Sequence, residues 1–362
     1  MVLSLSEAAL FFIPWPGPCY IRFRIWMKGY MRKIGALMSV MLCLLAAGNS
    51  DACTGIALTA ADGSRVVART VDRADAAMQP GYVVAPRRHL HQSLTPTGEN
   101  GLKYRSLYGY VGIYDENEAF VYEGINEAGL SAGLFFFPQY GEYAPYDPEN
   151  NAATLCDMQF VSWVLSQFSS IDQVVDTLPS VDVVSLGADA PGLHWRISEP
   201  GGRMVILEFI AGEPHFYEDS TGVLTNGPGF QWQRANLYDT SSIIPGDSAS
   251  QSRFVRATYL QAGSQEMKTG PDAVQQAFHI LNNFDLPAGI QYTISETEEV
   301  LPSATQITSA TDQTALKLYY RTVWNSAIRC IELMNIDFSK VRYQSHPLDQ
   351  VRQPVVEIVK VK

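Results

Sequence analysis

The chain has 362 residues, 46% of them apolar and 17% charged, with a formal charge of −11. That is enough apolar material for one large core or two modest ones. The acid excess excludes nucleic acid as a natural partner, because phosphate recognition needs basic surface.

The N-terminal segment runs against this balance. Its 52 residues hold five basic and two acidic side chains, which leaves −14 on the rest. From Met27 it follows the three-part plan of a secretory leader: a basic start (Lys28, Arg32, Lys33), an apolar run over 34–47, then small and polar residues up to Ala52. The run is too short to cross ~30 Å of hydrocarbon comfortably, and no later stretch offers a stable membrane span. Ser50 and Ala52 supply the small side chains a signal peptidase reads, so the cut falls before Cys53. A lipoprotein leader would want an aliphatic residue where Ser50 stands. The expected organisation is a signal region over 1–52, with 27–52 the working leader and 1–26 an over-extended start, then a single domain over 53–362. The mature chain is expected in a periplasm or outside the cell.

Behind the leader the pattern is mostly strand. Segments 55–60 and 65–70 flank Asp62-Gly63, a tight-hairpin dipeptide. Further strands are expected at 108–114, 119–124 and 130–137, parted by turn chemistry at 115–118 and at Asn126-Glu127-Ala128-Gly129. Apolar residues near a 3.6 period predict a helix over 154–168, and Ser170 caps a second through Leu178. Segments 194–198 and 204–210 form a hairpin about Pro200-Gly201-Gly202, and 215–218 and 222–226 continue the meander. Pro271 opens a helix running to about Asn283, and late strands fall at 315–322 and 327–333. Antiparallel meanders with helices in blocks make an α+β fold.

Five cysteines (Cys19, Cys43, Cys53, Cys156, Cys330) form no CxxC pair, and of six histidines only His89 and His91 are close, read as a solvated edge. No metal and no cofactor are indicated. Cys156 is expected on the 154–168 helix and Cys330 in a strand, both structural, with a disulfide between them left open. Cys53 is the sharpest feature. A thiol needs a base to become thiolate, and an N-terminal residue carries one in its own α-amine, of pKa ~8. By position alone, a cysteine behind a leader is more often half of a disulfide. The hairpin, however, brings Arg69 and Asp72 back towards Cys53. A guanidinium there would favour thiolate and a carboxylate would hold the α-ammonium; the plainer reading is a salt bridge at a strand end.

These residues carry a resemblance. Cys53-Thr54 with Arg69-Thr70-Val71-Asp72 is similar to the N-terminal signature of the choloylglycine hydrolase family, which includes bile salt hydrolases and penicillin V acylases. In the same order follow Glu123 to Leu130 running into Gly133-Leu134-Phe135-Phe136-Phe137-Pro138, then Thr225-Asn226-Gly227-Pro228, then Pro245-Gly246-Asp247 with Ser252-Arg253-Phe254. The resemblance implies a four-layer αββα sandwich of the N-terminal-nucleophile hydrolase type, with two antiparallel sheets between helices. It implies catalytic roles for Cys53 (nucleophile and, through its amine, base), Arg69, Asp72, Asn226 (oxyanion donor) and Arg253. The second oxyanion donor would be the backbone N–H of Phe135. Phe135, Phe136, Phe137 and Tyr140 would line the acyl site. Phe135 stands where bile salt hydrolases have Asn, and Arg73 where aromatic residues are frequent.

The implied function is hydrolysis of a linear amide, with penicillin V, conjugated bile salts and acyl homoserine lactones as candidate small-molecule substrates and Phe135 tilting away from bile salts. The alternative is a secreted, non-catalytic protein of the same fold with Cys53 in a disulfide. Segment 227–252 is short where many relatives carry a loop that helps to build a tetramer. A homo-oligomer stays open; a tetramer is not implied.

Overall fold

The hairpin behind Cys53 is formed by β1 (Cys53–Thr59) and β2 (Arg65–Arg73), paired antiparallel from Cys53 opposite Val71 to Thr59 opposite Arg65. Gly63, at φ +87°, turns the chain where a side chain would be strained, and Asp62 Oδ1 accepts the Ser64 N–H at 2.9 Å. The turn thereby fixes the register. The computed structural model describes residues 53–73, 79–187, 190, 192–237, 244–287, 290–291, 302–350 and 358–361. The leader expected over 27–52, with Cys19 and Cys43, lies outside them.

Around this hairpin grows a seven-stranded sheet in the order β14 (Val223–Leu224), β1, β2, β16 (Pro302–Asp312), β17 (Lys317–Thr322), β18 (Arg329–Glu332), with β15 (Ile290–Gln291) paired to β16. A second sheet of eight runs β13 (Glu213–Glu218), β12 (Met204–Ile210), β11 (Leu193–Ser198), β8 (Ser131–Phe136), β7 (Val121–Asn126), β6 (Tyr110–Tyr114), β3 (Gly81–Ala85), β19 (Gln344–Pro347). Two small ladders, β4 (Leu90–Gln92) with β5 (Lys103–Arg105) and β9 (Thr154–Cys156) with β10 (Asp182–Val184), complete the strands described.

Among the described residues five helices flank the sheets: α1 (Phe160–Gln167), α2 (Ile171–Thr177), α3 (Phe230–Asn236), α4 (Ser250–Ala262) and α5 (Gly270–Leu281). α4 and α5 pack on the first sheet and α1 on the second, while Arg196 of β11 donates to the carbonyls of Ile56 and Ala68 across the gap between sheets. The result is the expected αββα arrangement. The Phe160 ring lies tilted against Trp195 of β11, centroids 4.7 Å apart, and pins α1 to its sheet, a contact worth ~0.5–1.5 kcal/mol beyond burial. Asn126 ties the β7–β8 turn to the end of α1: its Nδ2 donates to the Leu165 and Phe168 carbonyls, and its Oδ1 accepts from Ala128 and Leu130. No helix of the described residues is long and apolar enough to cross a membrane.

Several elements depart from the sequence expectations. Residues 154–156 are strand β9, followed by a 3-10 turn over Asp157–Gln159, so the helix begins only at Phe160 and Cys156 lies in a strand. The spacing of buried residues there reflects burial on all sides rather than helical period. β16, α3 and α4 carried no strong sequence signal. β16 in particular is rich in Ser, Thr and Gln, residues that suit a strand without marking a buried one. Segment 222–226 pairs only at Val223 and Leu224. His89 and His91 are not a solvated edge; their rings stack on Tyr343 and Tyr104 at 4.4 and 4.8 Å, and burial, with His89 beside it, pushes His91 down to about 3. Cys53, Cys156 and Cys330 are free thiols.

Candidate active site

Cys53 opens β1, so its neighbours follow from the register on either side. Across β2 it faces Val71, and the β14 pairing (Gly55 opposite Leu224) sets Asn226, just past the strand end, opposite Cys53. The Cys53 N–H donates to Asn226 Oδ1 at 2.8 Å. Arg253, from α4, closes the cluster: Nη2 reaches Asn226 Oδ1 at 2.9 Å, Nη1 donates to the Cys53 carbonyl and to Thr54 Oγ1, and Nε to the Ser248 carbonyl. With Oδ1 doubly engaged, the Asn226 amide has one orientation, and its Nδ2 donates to the Phe136 carbonyl at 2.9 Å.

Arg69 and Asp72, three apart on β2, project from opposite faces of the strand. Arg69 enters the space between the sheets. β7 and β8 pair as far as Glu123 opposite Gly133 and then part; the Arg69 Nη1 fills the gap, donating to the Leu134 carbonyl at 2.5 Å and the Tyr122 carbonyl at 3.3 Å. Asp72 is buried, with Oδ1 accepting from Thr305 Oγ1 at 2.5 Å. Its Oδ2 is equally buried and has no hydrogen-bond partner among the described residues. Burial pushes the Asp72 carboxyl up to about 7, against the pull of Thr305, Arg253 and Arg69. Burial also pushes the Cys53 thiol up; Arg69 and Arg253 oppose it, and Asp72 adds to it.

Cys53 and Arg69 open on a cavity of about 190 Å³. Val71, Phe120, Tyr122, Leu134, Phe136 and Met158 form its apolar wall, and Arg73, Asp115, Glu116 and Asn117 its polar rim. Arg73 and Asp115 pair at 3.0 Å across that rim.

A family model, that of the linear amide C–N hydrolases of the choloylglycine hydrolase family, matches residues 53–243 and 240–346. The chain belongs to the choloylglycine hydrolase family. It is accordingly an amidohydrolase acting on linear amides. Among curated relatives, the bile salt hydrolase/transferase of Clostridium perfringens is 28% identical over 324 residues, covering 80% of this chain and 95% of that one. The enzyme of the same name from Lactiplantibacillus plantarum is 27% identical over 274 residues, 67% of this chain and 82% of that one. Two solved structures share the fold: a mutant of conjugated bile acid hydrolase from Clostridium perfringens (TM-score 0.70, 24% identity, 85% of this chain and 100% of that one), and penicillin V acylase from Agrobacterium tumefaciens (TM-score 0.68, 22% identity, 80% and 88%).

Within this choloylglycine hydrolase, the structure corrects the reading of the Phe135-Phe136-Phe137 run. The Phe137 N–H donates to the Gly192 carbonyl across to the β11 side, so by strand alternation the Phe135 N–H also points to β11. Phe136 faces the opposite edge, where its carbonyl meets Asn226. The backbone donor on the Asn226 side is therefore Phe136, and Phe136 alone of the four expected aromatics lines the cavity. Phe135 is wholly buried against Arg69, its ring centroid 3.9 Å from the guanidinium carbon. Phe137 stacks on His194 at 4.5 Å. Tyr140 is half-exposed, over Phe137 and Gly227.

Three supporting residues, Glu123, Gln233 and His194, carried no assigned role in the sequence. Glu123 is buried between Arg196, at 2.8 Å, and Arg69, at 3.6 Å. Gln233 donates to the Asn226 and Pro228 carbonyls, and His194 bridges Glu208 to the Thr225 carbonyl at 3.2 and 2.9 Å. A charged residue inside the apolar alternation of β7 was the one available signal, at Glu123.

Proposed function

We propose that the leader is removed before Cys53 and that the mature enzyme, periplasmic or extracellular, cleaves a linear acyl amide through a Cys53 thioester. The Cys53 α-amine takes the thiol proton as Sγ bonds to the carbonyl carbon. The proton then passes to the leaving nitrogen as the C–N bond breaks, and water hydrolyses the thioester by the same amine. Asn226 Nδ2 and the Phe136 N–H donate to the oxyanion. Arg69 favours the thiolate. Asp72, with one buried oxygen lacking a partner, receives the α-ammonium. The observation that carries this reading is the cluster itself: the Cys53 nitrogen bonded at 2.8 Å to an Asn226 amide that Arg253 also holds, beside a thiol that opens on an apolar cavity.

The acyl group we infer is a single ring or a short chain. The part of the site that is walled in, about 190 Å³, is a little larger than the ~150 Å³ that accepts benzene and matches one ring or a short chain. The two curated relatives named above act on bile salts by name; the small cavity favours phenoxyacetyl or short acyl amides here. A panel of penicillin V, glyco- and tauro-conjugated bile salts and acyl homoserine lactones of graded chain length tests this. The kcat/KM for the phenoxyacetyl or short-chain members should lead, and a lead for bile salts overturns the assignment. Cys53→Ala should abolish hydrolysis with the fold retained by circular dichroism, whereas retained activity removes Cys53 from the chemistry.

A further inference from the structure

We propose that Phe135 is a positioning residue, whose ring is the plate on which the Arg69 guanidinium rests beside the Cys53 thiol. This rests on Cys53 being the nucleophile, but the contact itself is structural. Phe135 is fully buried between the sheets, and the guanidinium carbon of Arg69 lies 3.9 Å from its ring centroid, well inside cation–π range. Its edge also presses on the nucleophile's own strand: a Cβ on Gly55 would stand 2.7 Å from Phe135 Cζ. One ring thus sets the distance between β1 and the arginine facing it.

The remaining partners of Arg69 show why the ring matters. Its Nη1 is held by the carbonyls of Leu134 and Tyr122 and its Nε reaches the Thr70 carbonyl at 3.5 Å, while the Tyr122 ring stands farther off than Phe135, 5.7 Å from the guanidinium carbon. The nearest carboxylate, Glu123, bonds Arg196 through Oε1 at 2.8 Å and keeps Oε2 3.6 Å from Arg69, without a hydrogen bond. Remove the aromatic plate and the guanidinium can tighten its 3.6 Å ion pair with Glu123 Oε2 into a hydrogen-bonded one, which draws it off the thiol and weakens its pull there. The charged and titratable side chains facing Cys53 are Arg69 and Asp72 from β2, Arg253 from α4 and Tyr122 from β7, joined in the mature enzyme by the α-amine of Cys53 itself; Phe135 acts on the first of these.

The test is alkylation of Cys53 in the full chain by iodoacetamide across pH, followed by peptide mass spectrometry so that Cys156 and Cys330 are scored apart. Phe135→Leu, which keeps apolar volume and loses the π face, should raise the midpoint by about half to one pH unit. In mature enzyme that begins at Cys53, the same variant should lower kcat while leaving KM nearly unchanged. Pentafluorophenylalanine at position 135 keeps the shape and inverts the ring quadrupole, so it should give a shift of the same sign even if the leucine variant folds poorly. In an Arg69→Met background neither change should move the midpoint further. An unmoved midpoint in both Phe135 variants, or shifts that add to that of Arg69→Met, overturns the proposal. A moved midpoint together with hydrolysis surviving in Cys53→Ala would instead overturn the nucleophile and leave the Phe135–Arg69 coupling standing.

Discussion

Asn226 uses one side-chain amide for two purposes. Its Oδ1 is saturated by the Cys53 N–H and by Arg253, which turns Nδ2 towards the reacting carbonyl in the proposed reaction. Asn226→Ala should therefore lower kcat by ~10²–10³, the usual loss of one oxyanion donor, with KM changed far less; a drop confined to KM would make Asn226 a binding residue instead. Asp72 gives a stability prediction. In the folded chain its carboxyl sits at about 7 against an ordinary 3.8, so between those values the folded state holds a proton that the unfolded state has released. Stability then falls as pH rises through that window and levels off above it. Asp72→Asn in the uncut chain should match the parent's melting temperature near pH 4 and exceed it by pH 8, as differential scanning calorimetry would show. A parent whose melting temperature holds steady from pH 4 to 8 would mean that the buried carboxylate is solvated or paired.

Among the elements, the parting of β7 from β8 does most to build the site, since it admits Arg69 and leaves the Phe136 edge facing Asn226. Gly133 sits at the last paired position, and a Cβ there would lie 2.2 Å from Glu123 Oε2. That carboxylate is tethered to Arg196 and cannot easily withdraw. Gly133→Ala should cost ~1–3 kcal/mol in urea denaturation, with activity falling further because Arg69 shares the same carboxylate; a neutral variant would show that Glu123 repacks freely. The sequence made the β1–β2 hairpin legible through Asp62-Gly63, the second helix through Ser170, and α5 through Pro271, because caps and turns are chemistry between near neighbours. It did not reveal β16, whose Thr305, Thr308, Ser309 and Thr311 are buried, nor the true start of α1, because burial by distant segments leaves no periodic trace that separates strand from helix.

For the whole molecule, the proposed chemistry is conditional on processing. In the uncut chain the Cys53 nitrogen is an amide, without basicity, so the precursor should hydrolyse no acyl amide. Mature protein with an N-terminal Cys53, identified by intact mass, should be active, and an active precursor would assign the base to another group. The sequence by itself determined the α+β class and the family, and it singled out Cys53, Arg69, Asp72, Asn226 and Arg253 as the candidate set, because those residues sit in ordered motifs whose types match the chemistry of amide cleavage. Only the tertiary structure decided how the set meets. Asn226 faces Cys53 because β14 pairs with β1 in one register, and Arg253 reaches both from a helix that packs across the sheet. Phe136 rather than Phe135 lines the cavity because strand alternation, anchored by the Phe137–Gly192 hydrogen bond, sends neighbouring side chains and amides to opposite sides. Motifs name residue types; direction is set by pairing with strands and helices far away in the chain.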